Sequence, residues 1–278
     1  MVGKSWNREW AAICFVGPHV SPRGKPDANT PYAMNRTTLS FMLAITGPLF
    51  HAAAVQTQES IKINSVQKLE VNYLLYLPEG YNRKKDVNWP VILFLHGAGE
   101  RGSDLNRVKV HGPPKLVEEG KGLPFIIVSP QCPNEKVWDT GILTALLDHV
   151  CDKYRVDKAR QYLTGLSMGG YGTWSLGIKE CDRFAAIAPI CGGGNFIEIY
   201  NASGVKGASM RTLGVWAFHG GRDNVVPLAE SEKMIADLKK FGHPNPKLKV
   251  YREARHDSWT KSYDNPKLYE WFLKHARK

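Results

Sequence analysis

From residue 68 to 77 apolar side chains recur at every second position: Leu69, Val71, Tyr73, Leu75 and Leu77. A period of two predicts a half-buried strand with one apolar face, and Pro78 ends it. Residues 91–95 and 125–128 read differently. They are apolar at every position and bounded by Pro, Gly or Ser, the pattern of central strands in a parallel sheet covered on both faces. Shorter apolar runs at 161–166, 184–190, 213–218 and 248–251 add further strand candidates. Between them, Leu143, Leu146, Leu147 and Val150 fall at helical spacing within 141–154, as do Met234, Ile235 and Leu238 within 228–241. Residues 266–276 close the chain with another helix-like stretch. Strand and helix alternate, which predicts an α/β fold: a mostly parallel, doubly wound sheet flanked by helices. No internal repeat or linker divides residues 55–278, so a single domain is expected there.

Composition narrows the function classes. A chain of 278 residues holds one large α/β domain and is short for two catalytic ones. With 43% hydrophobic and 23% charged residues, it resembles neither a disordered chain nor a polytopic membrane protein. The formal net charge of +11 raises the question of a nucleic-acid partner. The basic runs Arg83-Lys84-Lys85 and Lys239-Lys240 are short and carry no interleaved aromatics for stacking bases. The charge therefore reads as a solvated surface, and no nucleic acid is expected.

Residues 1–54 are set apart from the fold. Met34-Asn35-Arg36 offers a small basic start, residues 39–46 an apolar stretch, Gly47-Pro48 a break and Ala52-Ala53-Ala54 a small-residue cleavage site. This is the layout of a signal peptide over 34–54, preceded by a stretch rich in Pro, Gly and Arg that reads as a disordered extension or an upstream misread start, and it predicts an exported chain beginning near Val55. The competing reading is a hydrophobic helix over 39–50 packed on the domain. The apolar run is well short of the ~20 residues that span a bilayer, so no stable membrane insertion is expected. Export would carry Cys132, Cys151, Cys181 and Cys191 into an oxidising compartment, where four thiols allow three pairings. Their spacing suggests no metal site.

The chemistry concentrates at Gly165-Leu166-Ser167-Met168-Gly169, a G-x-S-x-G run between an apolar strand and a helix-like segment. Small residues two before and two after the serine permit a strained turn that presents the hydroxyl. A serine hydroxyl needs a histidine base within reach and a carboxylate behind it, and in this setting the chain order is Ser, Asp or Glu, His. Asp223, in His219-Gly220-Gly221-Arg222-Asp223, follows the 213–218 strand, and His256 follows the last strand. Both would lie on loops at the carboxyl ends of strands, where sites form in open α/β sheets. His219 abuts its strand and reads as a packed structural histidine. Two amides are expected to hold the oxyanion: that of Met168, and that of Ala98 in the loop from His96 to Gly102. Within that loop Glu100 and Arg101 are expected to form a local ion pair, and His96 to brace the backbone. Trp138, Tyr171 and Trp259 lie near these loops and are candidates for an aromatic substrate cleft.

The pieces HGAGERG, SPQCP followed by Trp138, GLSMGGYGTW, HGGRDNVVP and RHDSW together resemble the esterase branch of the α/β-hydrolases. That branch includes family one carbohydrate esterases, feruloyl and acetyl esterases, and polyhydroxybutyrate depolymerase-like and phospholipase/carboxylesterase proteins. The resemblance implies an α/β-hydrolase fold and cofactor-free hydrolysis of a small-molecule or polysaccharide-linked ester through an acyl-enzyme on Ser167. Two other readings remain open: a serine peptidase of prolyl-oligopeptidase-like type, and a non-catalytic binding protein on the same fold. Acyl group, alcohol and oligomeric state are not encoded in these motifs.

Overall fold

The computed structural model describes residues 70–277. The expected leader over 34–54, its boundary at Val55 and the strand position Leu69 lie outside the described residues.

Strand β1 (Tyr73–Tyr76) is followed by β2 (Trp89–Leu95), two short 3-10 segments (Ala98–Glu100 and Leu105–Val110), α1 (Gly112–Glu118) and β3 (Ile126–Pro130). Next come α2 (Thr140–Lys153), β4 (Val156–Leu166), α3 (Met168–Lys179), β5 (Ala186–Ile190), α4 (Phe196–Val205), α5 (Gly207–Thr212) and β6 (Gly214–Gly220). Helix α6 (Leu228–Lys240), β7 (Lys247–Tyr251), α7 (Ser258–Tyr263) and α8 (Pro266–Leu273) complete the chain. The seven strands form one sheet in the order β1-β3-β2-β4-β5-β6-β7. Every neighbouring pair is parallel except β1 and β3, which run antiparallel with Leu75 opposite Val128. This is the α/β-hydrolase class of fold, and it matches the alternation read from the sequence.

Each side of the sheet has its own core. In β2, Val91, Leu93 and Leu95 face one way and pack with Leu143 and Leu147 of α2, Trp174 of α3 and Met234 of α6. Ile92 and Phe94 face the other way and pack with Leu116 of α1, Tyr263 of α7 and Phe272 of α8. Residues 91–95 are all fully buried, which explains their unbroken apolar run. The edge strand β1 departs from its expected single apolar face. Val71, Tyr73, Leu75 and Leu77 pack on the first core, but Leu74 and Tyr76 pack on the second, because helices cover both sides even at this edge. Strand β4 starts five residues before the expected 161, through Asp157, Lys158 and Arg160. Only its second half is continuously buried, so the charged first half carried no apolar signal.

None of the three cysteine pairings is formed: Cys132, Cys151, Cys181 and Cys191 are free thiols. Cys151 lies against Gln161 Oε1 at 3.5 Å and the Arg183 guanidinium at 3.7 Å. Burial pushes all four thiols above the ordinary cysteine value, Cys191 to about 12. No helix among the described residues is long and apolar enough to cross a membrane.

Candidate active site

Ser167 occupies the single residue between β4 and α3. Its backbone sits at φ 53°, ψ −115°, a conformation that costs a non-glycine residue about 1–3 kcal/mol and persists only where neighbours enforce it. The enforcement is visible. The Ser167 amide donates to Ile190 O at 3.0 Å, and the Ser167 carbonyl accepts from the Tyr171 amide at 3.0 Å. The backbones crossing here leave no room for side chains: a Cβ on Gly165 would lie 2.4 Å from Gly169 O, and one on Gly169 would lie 2.0 Å from Leu95 O. The two glycines of the G-x-S-x-G run thus let β2, β4 and α3 meet at backbone contact.

The turn aims Ser167 Oγ at His256, whose Nε2 lies 2.9 Å away. His256 stands on the loop between β7 and α7, and its Nδ1 lies 2.7 Å from Asp223 Oδ2. Asp223 follows β6. Its other oxygen, Oδ1, accepts from the amides of Val225 and Val226, both at 2.9 Å. Burial raises the Asp223 pKa, but the hydrogen bonds from His256 and the two amides outweigh it and leave the carboxyl below its usual range. An ionised carboxylate only accepts, so His256 Nδ1 donates to it, and Nε2 is the ring nitrogen turned to the serine hydroxyl. The three groups named from the sequence are therefore brought into one hydrogen-bonded row.

His219 is fully buried. Its Nδ1 lies 2.8 Å from Ser231 Oγ and its Nε2 2.9 Å from Val226 O, which ties β6 to α6. It approaches Asp223 Oδ2 only to 3.4 Å, so it braces the acid loop and stands outside the row. Cys191, at left-handed φ 41°, places its thiol in a group with Asp223 and His256 whose ligand atoms all lie within 4.8 Å. Its raised pKa keeps that thiol neutral.

Ala98 and Met168 are the first residues of a 3-10 turn and of α3, positions where backbone amides find no acceptor within their own helix. The loop carrying Ala98 is fastened from behind through its carbonyls. Arg101 Nε donates to Ala98 O at 3.0 Å, the Arg107 guanidinium to Gly99 O and the Gln131 amide to Glu100 O. His96, fully buried, accepts from the Cys132 amide through Nε2 at 3.0 Å, so its Nδ1 bears the proton and donates to Gly97 O at 2.7 Å. Burial lowers its pKa and keeps it neutral. The expected ion pair between Glu100 and Arg101 is not formed. Glu100 Oε2 instead accepts from the Gly97 amide at 2.8 Å, while Arg101 bonds the carbonyls of Ala98 and Lys136. The acid is recruited to the unpaired amide that begins the turn.

The three candidate cleft aromatics part company. Trp259 packs edge to face on His256, ring centroids 5.2 Å apart. Tyr171 stands in the first turn of α3 with much of its ring exposed, and the partial desolvation of its hydroxyl, with the Glu230 and Asp223 carboxylates, raises the phenol pKa above its ordinary value. Trp138 lies behind the Ala98 loop, donating from Nε1 to His96 O at 3.1 Å, and lines a cavity of about 1110 Å³ with Val71, Tyr73 and Ile142. One residue at the site escaped the sequence reading: His111, whose ring stands 5.3 Å from that of Trp259. A lone histidine before Gly112-Pro113-Pro114 carries no motif, and only the fold delivers it here.

No protein-family model matches the chain. Among curated proteins it is similar to a bifunctional acetylxylan esterase/xylanase of Neocallimastix patriciarum, at 26% identity over 163 residues, 56% of this chain and 22% of that protein. It is also similar to a probable feruloyl esterase C of Aspergillus flavus, at 29% identity over 180 residues, 59% of this chain and 60% of the relative. Among solved structures it resembles a thermostable esterase with TM-score 0.61 and 29% identity, over 75% of this chain and 60% of that one. The match thus spans about a fifth of the acetylxylan esterase/xylanase and three fifths of the other two. Family one carbohydrate esterase-like proteins of the α/β-hydrolase fold are what the chain is similar to.

Proposed function

We propose that this protein is a serine carboxylic ester hydrolase. The observation that carries the reading is the unbroken row Asp223, His256, Ser167, with contacts of 2.7 and 2.9 Å, ending on a serine held in a strained turn. In the mechanism, His256 Nε2 takes the hydroxyl proton as Ser167 Oγ attacks the ester carbonyl, and the amides of Ala98 and Met168 receive the oxyanion. The imidazolium formed is stabilised by Asp223 and gives its proton to the departing alcohol. Water, deprotonated by the same nitrogen, then releases the acid from Ser167, and the chemistry needs no cofactor. The names of the similar proteins favour acetyl, feruloyl or similar acyl groups, with Trp259 and Tyr171 contributing the aromatic lining, whereas Trp138 faces the separate cavity behind the Ala98 loop. Secretion after cleavage of the segment 34–54 belongs to the same reading.

A substrate panel tests this. The protein should hydrolyse p-nitrophenyl acetate and methyl ferulate and leave chromogenic peptides intact. Turnover of peptides with no ester hydrolysis would replace the esterase reading by a peptidase one. Inertness towards both would favour a binding role.

A further inference from the structure

We propose that Trp259, His111 and Glu100 form a subsite for the alcohol half of the ester, built to accept a hydroxyl-bearing alcohol such as a sugar. The inference rests on the esterase reading and adds to it the place and the chemistry of the leaving group.

The direction of the leaving group follows from the row of catalytic groups. With the carbonyl oxygen on the amides of Ala98 and Met168, the ester oxygen must lie within reach of His256 Nε2 to collect its proton. The alcohol then projects over the His256 side of the serine. The ring standing there is Trp259, perpendicular to His256 at 89°. Beside Trp259 stands His111, tilted at 55° with centroids 5.3 Å apart. An indole next to a partly exposed polar ring suits a molecule with an apolar C–H face and hydroxyls at its edge.

The polar end of this wall has unused hydrogen-bonding capacity. His111 Nε2 and Glu100 Oε1 are 3.8 Å apart, beyond direct hydrogen-bond reach. Glu100 Oε2 is already taken by the Gly97 amide, so Oε1 is the free acceptor. A hydroxyl placed between the two groups would accept from His111 and donate to Glu100, as a bridging water does across such a gap. Both side chains are reachable, His111 being 29% exposed and Glu100 13%. The placement is rigid: Gly112 takes φ 68°, a Cβ there would lie 2.4 Å from the Phe94 ring, and two prolines follow. His111 contributes no side-chain cap to α1, so its ring is not needed to hold that helix. Through Glu100 the hydroxyl would also contact the residue that grips Gly97, directly before Ala98.

The test uses two esters with one acyl group: p-nitrophenyl acetate, whose alcohol carries no hydroxyl, and monoacetylated xylobiose, whose alcohol carries several. His111→Ala should raise KM for the acetylated disaccharide roughly three- to tenfold, the loss of one hydrogen bond, and leave kcat/KM for p-nitrophenyl acetate within about twofold. His111→Gln, which retains a donor, should recover most of the loss. Equal losses on both esters would mean a structural role, and an unchanged KM on the disaccharide would remove the subsite. A wild-type protein that cleaves p-nitrophenyl acetate but not the disaccharide also overturns it. Inertness towards both esters would instead overturn the esterase reading beneath it.

Discussion

Asp223 uses its two oxygens for different purposes. Oδ1, held by the amides of Val225 and Val226, fixes the carboxyl plane, and Oδ2 faces His256 Nδ1. An asparagine in its place can present an N–H where Oδ2 stood, which would turn the imidazole to the tautomer that cannot take the serine proton. Asp223→Asn should therefore lower kcat by orders of magnitude, up to ~10⁴-fold, with a much smaller change in KM. Asp257, which makes no side-chain bond in capping α7, should tolerate the same change with little loss. The sign of the pH effect follows from the depressed carboxyl. Its folded pKa lies below its unfolded value, so the stability it contributes is present above the ordinary carboxylate range, near pH 4, and is lost as pH falls through the folded value. The melting-temperature gap between wild type and Asp223→Asn, followed by thermal unfolding from pH 7 downward, should be widest above about pH 5 and close in acid. A gap that widens in acid would contradict the assignment.

At the scale of elements, the turn between β4 and α3 depends on empty space more than on any side chain. Gly169→Ala would set a methyl 2.0 Å from Leu95 O, a collision with backbone that has no flexible partner to yield. Overpacking of this kind costs about 1–3 kcal/mol, and the midpoint of denaturant unfolding should fall accordingly. Gly99→Ala is the control: a Cβ there meets nothing within 4 Å, and its stability should be unchanged. This turn was legible in the sequence because crossing backbones demand glycine at fixed offsets from the serine. Strands β2, β3, β5 and β6 were legible because burial on both faces leaves a continuous apolar run. Helices α1, α4, α5 and α7 were not. They are six to ten residues long, and their starts depend on local devices such as Asn195 accepting from the Ile197 amide at 2.9 Å. The links made by His111 and by Glu100 were hidden for a related reason, since each joins loops that only the sheet order brings together.

For the whole molecule, the carboxyl edge of the sheet does the gathering. The loops after β2, β4, β6 and β7 bring Ala98, Ser167, Asp223 and His256 to one end while two separate cores fix the strands beneath them. Export, as proposed, cleaves the chain after the segment 34–54, ahead of the described residues. N-terminal sequencing of mature protein from its native host should then begin near Val55, and a retained Met1 or Met34 would count against a cleaved leader. The central claim is that Ser167 is an activated nucleophile, and covalent labelling measures it most directly. Wild type treated with a fluorophosphonate should gain one adduct by intact mass, mapped by peptide sequencing to Ser167. The Ser167→Ala protein, shown by thermal unfolding to be folded, should gain none. Labelling of folded Ser167→Ala at the wild-type rate, or a wild-type protein that stays unmodified, would contradict the account.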